Sequence, residues 1–469
     1  NDSGRESTPR NWQVNMQTLS DMPNRRPNLL LFFTDQQRWD CMAAHGNPLG
    51  LTPNLDRLAQ RGTFLQHFYS CQPVCGPARS CLQSGQWATR TDCFTNGRPL
   101  RSQDQHLGPL FDAAGYDTGY IGKWHLGEHG VHGPVAPEYR RGYRFWLAAN
   151  ALEHTSDAYH TTVWDENGKP VYLPGYRVDA LTDAGIRFIN RPREAPWFLT
   201  LSFLEPHHQN HADNYPAPEG YEAQYQGRWT PPDLEALRGS APQHLGGYWG
   251  MIKRLDEALG RILDSLRSTD QLEDTVIAFV TDHGCHFKTR NGEYKRSCHD
   301  ASLRLPGVLY GGPFMAGGTR PELTSLLDIP PTLLEVAGID IPDTMDGRSL
   351  LPLVDPTREP LAREHIYAQI SEAEVGRCVR THRWKYGIVD PDAGDGWAAF
   401  PKEKYREAYL YDLENDPHEL CNLIGLETFA AVANHMRERL LTSMWDAGEP
   451  LYPIEPASRG PAGQRMPEI

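Results

Sequence analysis

The chain has 469 residues, 39% hydrophobic and 10% aromatic; that excludes a disordered chain and exceeds what one compact core usually holds, so a large domain with a smaller one packed on it is expected. Lys plus Arg number 46 against 60 Asp plus Glu, a net charge of −14, which is the wrong sign for a nucleic-acid binder but does not exclude a sulfate or phosphate substrate if a few cations converge in one pocket. The longest apolar run, "LLLFF" at 29–33, is strand-sized and far short of the roughly 18 to 20 residues that span a bilayer.

Residues 1–26 open "NDSGRESTPRNW", with no initiator Met and no apolar signal region, and read as an N-terminal extension or leader, with Met16 or Met22 as alternative starts. Localisation stays open on this reading: periplasmic or secreted if a signal peptide was removed, cytoplasmic otherwise. From residue 27 the pattern alternates. "PNLLLFFTD" (27–35), "PWFLTLSFLEPH" (196–207), "TVIAFVTDHG" (275–284) and "LPGVLYGG" (305–312) read as buried parallel strands, while "TPNLDRLAQRG" (52–62) and "GGYWGMIKRLDEALGRILDSLR" (246–267) carry helical spacing. This predicts a doubly wound α/β domain over 27–365, with a large mixed, mostly parallel sheet flanked by helices. After the Pro-rich "DPTREPLAREH" (355–365) the texture changes to short strands, "HIYAQI" and "RCVRTHRWKYGIV", which predicts a smaller α+β subdomain with an antiparallel sheet over 366–469.

"CQPVCGPARSCLQSG" (71–85) places three of the nine cysteines within eleven residues, as a disulfide knot, a metal site or one special sulfur. The full set is too sparse for a disulfide scaffold and too irregular for a structural zinc site, so most are read as buried or free thiols. In an open α/β sheet, ligands gather at the carboxyl ends of the strands. There "FFTDQQ" delivers Asp35 and Gln36, and "AFVTDHG" delivers Asp282 and His283. Either pair alone fits polar capping of a strand end. Both together favour one divalent cation, with oxygens preferring calcium or magnesium and His283 adding a nitrogen. Arg79, Lys123 with His125, and Lys295 are each readable as surface charges; combined with a metal they would form an anion pocket.

"PVCGPARSCLQSG" resembles the C-x-P-x-R signature of the formylglycine-dependent (type I) sulfatases of the alkaline-phosphatase-like superfamily. "GYDTGYIGKWH" resembles their second signature through Gly115, Tyr116, Thr118, Gly122, Lys123 and His125. The resemblance extends through "DHG", "SLRLPGVLYGG", "DIPPTLLEVAGIDIP", "GRSLLPLV" and "LYDLENDPHELCNL". Departures are small: Gln83 and Ser84 replace an apolar residue and Thr, and Gln36 replaces an Asp. The resemblance implies that a maturation enzyme oxidises Cys75, rather than Cys71 or Cys81, to formylglycine. The gem-diol of that aldehyde attacks sulfur, leaving a covalent sulfate ester that collapses back to the aldehyde. It also implies one calcium ion on Asp35, Gln36, Asp282, His283 and the modified Cys75. Arg79, Lys123 and Lys295 surround the sulfate, His125 is the base for collapse, and His207, in "FLEPHHQNH", is the acid for the leaving oxygen, against a metal-ligand or surface-histidine alternative.

The substrate class implied is a sulfate ester. The segments 146–164 and 207–229, rich in His, Tyr, Trp and amide side chains, favour a sulfated carbohydrate, through stacking and hydrogen bonding, over a small aryl or alkyl sulfate. The alternatives are a phosphonate or phosphodiester hydrolase of the same superfamily, against which "GKWH" argues, and a sulfate- or glycan-binding protein that has lost catalysis.

Overall fold

Strand β1 (Asn28–Thr34) is apolar on both faces because both faces are covered. Leu30 and Phe32 enter one core, Leu29, Leu31 and Phe33 the other, and all seven residues are buried. The structure is a computed structural model and describes residues 26–101, 105–128, 130 and 132–459. The expected extension over 1–26 lies outside them, save Arg26.

The remaining strands of the large sheet are β2 (Thr63–Tyr69), β3 (Asp117–Lys123), β4 (Phe145–Ala149), β5 (His160–Asp165), β6 (Pro170–Pro174), β7 (Trp197–Ser202), β8 (Thr275–Thr281), β9 (Arg304–Leu305), β10 (Val308–Tyr310) and β11 (Gly318–Ser325). Their order is β11-β2-β10-β8-β1-β7-β3-β4-β5-β6, with β9 on β2. The central run β8-β1-β7-β3-β4 is parallel. One face packs on the helices Arg177–Ile189 and Ala241–Ser268, the other on α2 (Cys75–Ser84), which follows α1 (Pro53–Arg61), and on the helix Ile329–Val336.

One strand departs from expectation. "LPGVLYGG" was read with the parallel strands, but β10 is antiparallel to both β2 and β8. After β8 the chain stays at the carboxyl end of the sheet, where Asp282, His283 and Lys295 converge on Cys75. It therefore re-enters the sheet from that end and runs back, without the crossover that a parallel return requires.

A second sheet, β12 (Ile366–Ile370), β13 (Gly376–Arg380), β14 (Trp384–Val389), β15 (Tyr405–Asp412) and β16 (Ile454–Glu455), is antiparallel except for its last pair. It packs on the helix Ala430–Asp446 around its own core. Its first strand touches the large sheet's loops: Gln369 N donates to the Cys71 carbonyl (2.9 Å) and Gln72 Nε2 to Ser371 Oγ (2.7 Å). Among the described residues no helix is long and apolar enough to cross a membrane.

Candidate functional site

Strand register brings the acids together. Thr34 of β1 pairs with Thr281 of β8 in parallel, so the residues that follow, Asp35–Gln36 and Asp282–His283, leave the sheet side by side. Gln36 turns into the left-handed region (φ 64°), and its N–H donates to Asp282 Oδ1 at 3.0 Å. Two strands over, β3 ends in Lys123. Gly122 before it takes φ 107°, and a Cβ there would fall 1.8 Å from the Ser202 carbonyl oxygen of β7; only glycine admits that approach.

Cys75 is the first residue of α2, at the helix end where backbone N–H groups favour a thiolate. Its Sγ receives Lys295 Nζ (2.8 Å) and lies 3.2 Å from His283 Nε2 and 3.6 Å from Asp35 Oδ1. Burial alone would raise this thiol, but Lys123, Lys295 and His283, with a hydrogen bond from His125, hold it well below the ordinary cysteine value. Ligating atoms of Asp35, Cys75, Asp282 and His283, all buried, lie within 4.8 Å of one another.

These residues fit a divalent cation. His283 Nδ1 sits 3.0 Å from the Gly284 carbonyl, so it carries the hydrogen and Nε2 presents its lone pair to the cluster. Gln36 Nε2 donates to Tyr215 Oη (2.9 Å), while Gln36 Oε1 is buried without a hydrogen-bond partner. Burial and the neighbouring Asp35 push the Asp282 carboxyl up to about 6, a repulsion that a bound cation would relieve.

The expected cations divide into two groups. Lys295 lines a cavity of about 430 Å³ together with Cys75, His125 and His207. Arg79 and Lys123 do not line it. Lys123 is fully buried, with Nζ 2.8 Å from Asp35 Oδ2 and 3.0 Å from Glu153 Oε1; Arg79 Nη2 reaches Asp35 Oδ2 at 2.9 Å and its Nε lies 3.4 Å from Asp282 Oδ2. Both cations therefore act first on the acids. Burial and the Cys75 charge oppose them, yet Lys123, His207 and Arg79 keep the Asp35 carboxyl well below the usual range.

His125 takes φ 60° and places Nδ1 3.9 Å from Glu153 Oε1. His207 Nδ1 lies 2.7 Å from the His208 carbonyl and Nε2 3.0 Å from Lys295 Nζ. Nε2 therefore accepts from the lysine, and burial with Lys295 holds the imidazole below its ordinary value. His207 stands outside the donor cluster, so the metal-ligand alternative finds no geometric support.

Glu153, Asn96, Asn150 and Arg296 also line the cavity, and none was anticipated. Asn150 and Glu153 lie in the segment 146–164 already read as substrate wall, though without a motif to single them out, and Glu153 comes from the single-turn helix Leu152–Thr155. The Tyr and Trp part of the expectation for the substrate wall is corrected, while its histidines and amides do reach the cavity. From segments 146–164 and 207–229 only Asn150, Ala151, Glu153, His154, His207, His208 and Asn210 reach the cavity, and no Phe, Tyr or Trp lines it among the described residues. Trp146 and Tyr215 are instead buried in the cores.

The family model described as Sulfatase matches residues 27–339, and that described as N-sulphoglucosamine sulphohydrolase, C-terminal, matches 292–445. An N-acetylglucosamine-6-O-sulfatase of Bacteroides thetaiotaomicron is 24% identical over 89% of this chain and 86% of its own. An ulvan-active sulfatase of Formosa agariphila is 26% identical over 90% and 82%. A solved structure in complex with its substrate D-glucosamine-2-N,6-O-disulfate superposes with a TM-score of 0.73 at 22% identity, covering 90% of this chain and 98% of that one.

Proposed function

This chain belongs to the sulfatase family and is a sulfuric ester hydrolase, and we propose that it removes sulfate from a sulfated saccharide, with Cys75 converted to formylglycine by a maturation enzyme and one calcium ion beside it. The observation that carries the saccharide reading is the cavity wall: Asn96, Asn150, His132, His154, His208, Glu128 and Glu293 offer hydrogen-bonding groups throughout, with no aromatic face for an aryl ester among the described residues. The 24% and 26% identical relatives named for sugar and polysaccharide sulfate esters support it.

Oxidised Cys75 would supply a hydrated aldehyde whose hydroxyl serves as nucleophile. Asp35, Gln36, Asp282 and His283 would hold the cation, which supplies charge neutralisation and acidifies that hydroxyl; three oxygens and one imidazole favour calcium over zinc. Lys295, 2.8 Å from Cys75 Sγ, is placed to hold a sulfate oxygen against the nucleophile. Lys123 and Arg79 keep Asp35 ionised as a ligand. His125, with Nδ1 3.9 Å from Glu153 Oε1, takes the proton from the nucleophile's second hydroxyl. His207 faces the leaving oxygen and would act as its acid once Nε2, which accepts from Lys295 Nζ here, has taken up a proton.

The test is sulfate release from a panel of monosulfated mono- and oligosaccharides, beside an aryl sulfate and a phosphonate monoester, using protein whose Cys75 modification is verified by mass spectrometry. The expected result is turnover of a sugar sulfate, abolished in Cys75→Ala, lost on chelation and restored by calcium. Exclusive turnover of the phosphonate, or full activity with an unmodified Cys75, overturns the reading.

A further inference from the structure

Glu372 stands on the second sheet, in the turn between β12 and β13, with φ 67° and its side chain fully buried. It points away from its own sheet. Its Oε2 receives Arg296 Nη2 (2.8 Å) and Asn96 Nδ2 (3.1 Å), its Oε1 receives the Asn96 backbone N–H, and its own N–H is tied to the Gly396 carbonyl (2.8 Å). A carboxylate with three donors from two distant loops fixes both at once.

Each loop leads to the reaction centre. Asn96 Oδ1 accepts the Gly76 N–H at 2.8 Å, one of the free donors at the start of α2, so Asn96 fixes the helix end that carries Cys75. Arg296 follows Lys295 and takes φ 70°, a conformation that strains a non-glycine residue and persists only where its surroundings hold it. The guanidinium, 2.8 Å from Glu372 and 3.3 Å from Glu293, holds it together with Asn291 Nδ2, which donates to the Lys295 and Arg296 carbonyls (3.3 and 3.2 Å), and His286 Nε2, 2.9 Å from the Lys295 carbonyl. The turn so fixed aims Lys295 Nζ at Cys75 Sγ and His207 Nε2. Asn96 and Arg296 both line the cavity beside Cys75.

We propose that Glu372 is a positioning residue for sulfate transfer: from the second sheet it sets the distance between Cys75 and Lys295, holding one through Asn96 and the other through Arg296. This rests on the reading of Cys75 and Lys295 given above. It gives the second sheet a part in the chemistry, since a misplacement of about 1 Å at such a pair costs on the order of a hundredfold.

The experiment measures kcat and KM on the best sugar sulfate for wild type, Glu372→Ala, Arg296→Ala and the double variant, with rates expressed per mole of converted Cys75. Glu372→Gln, which keeps shape and one acceptor, is carried in parallel in case the alanine variant does not fold. Expected are a kcat lower by at least about tenfold in Glu372→Ala, a smaller fall in Glu372→Gln, KM changed less than about threefold, and a double variant no worse than the poorer single one, because both act through one link. A normalised kcat equal to wild type overturns the proposal, as do losses that multiply in the double variant, or a loss accounted for by unfolded protein at the assay temperature. Absence of turnover in wild type on every ester would fault the functional reading instead.

Discussion

At the scale of single residues, His207 makes the sharpest claim. Proton donation matters in proportion to the charge on the leaving oxygen, large for a sugar alkoxide and small for a nitrophenolate. His207→Ala is expected to cost on the order of 10² to 10⁴ in kcat/KM on a sugar sulfate and much less on an activated aryl sulfate. The ratio of the two losses cancels any shared damage to folding or metal binding. Equal losses would move the role to Lys295, whose Nζ shares a hydrogen bond with His207 Nε2, or to His208, stacked on His207 at 4.3 Å and lining the cavity. His211, next in sequence as an alternative, is exposed and paired with Asp157. What the sequence disclosed at this scale are residues whose signal is local. Cys75 lies in a short signature, and Asp35 and Asp282 end apolar strands. Glu153, Asn96 and Glu372 carry no such signal, because their meaning arises from partners far along the chain; Asn96 and Glu372 are 276 positions apart.

At the scale of elements, the hairpin β12–β13 carries Glu374 as well as Glu372, and the two carboxylates differ in company. Glu374 meets one donor, Tyr409 Oη at 3.0 Å, and burial outweighs that hydrogen bond and pushes its carboxyl up to about 7. A carboxyl raised in the folded state binds protons that the unfolded chain has released, so the hairpin loses stability as pH rises from the ordinary glutamate value of 4.5 towards 7. Glu374→Gln is expected to match wild type near pH 4.5 and to exceed it near pH 8, by on the order of 1 kcal/mol given the group's partial exposure. Thermal melts across that range check it, and a gap that stays constant with pH would show that Glu374 does not titrate there. The elements themselves were largely legible: strands such as "LLLFF" announce burial on both faces. The direction of β10 was not, because a three-residue apolar run has no polarity, and its orientation follows from where the site loop leaves the chain.

At the scale of the whole molecule, charge and cavity pull in opposite directions. The chain carries −14, and its substrate is an anion. Inside the cavity Lys295 lies against Cys75. At the mouth, Glu128 and Glu293 are exposed, and Arg296 is held between Glu293 and Glu372. An incoming sulfate ester therefore crosses a repulsive field before it meets the lysine, and salt screens the long-range repulsion more than the short buried contacts. Raising ionic strength from about 20 to about 200 mM shortens the Debye length from roughly 20 to 7 Å, so KM is expected to fall while kcat stays constant. The effect should grow with substrate charge, and a disulfated saccharide should gain more than a monosulfated one of the same size. Neutralising the mouth with Glu128→Gln should lower KM at low salt and flatten the dependence. A KM that rises with salt would mean that the mouth attracts anions, and the acidic exterior would then have no part in substrate selection.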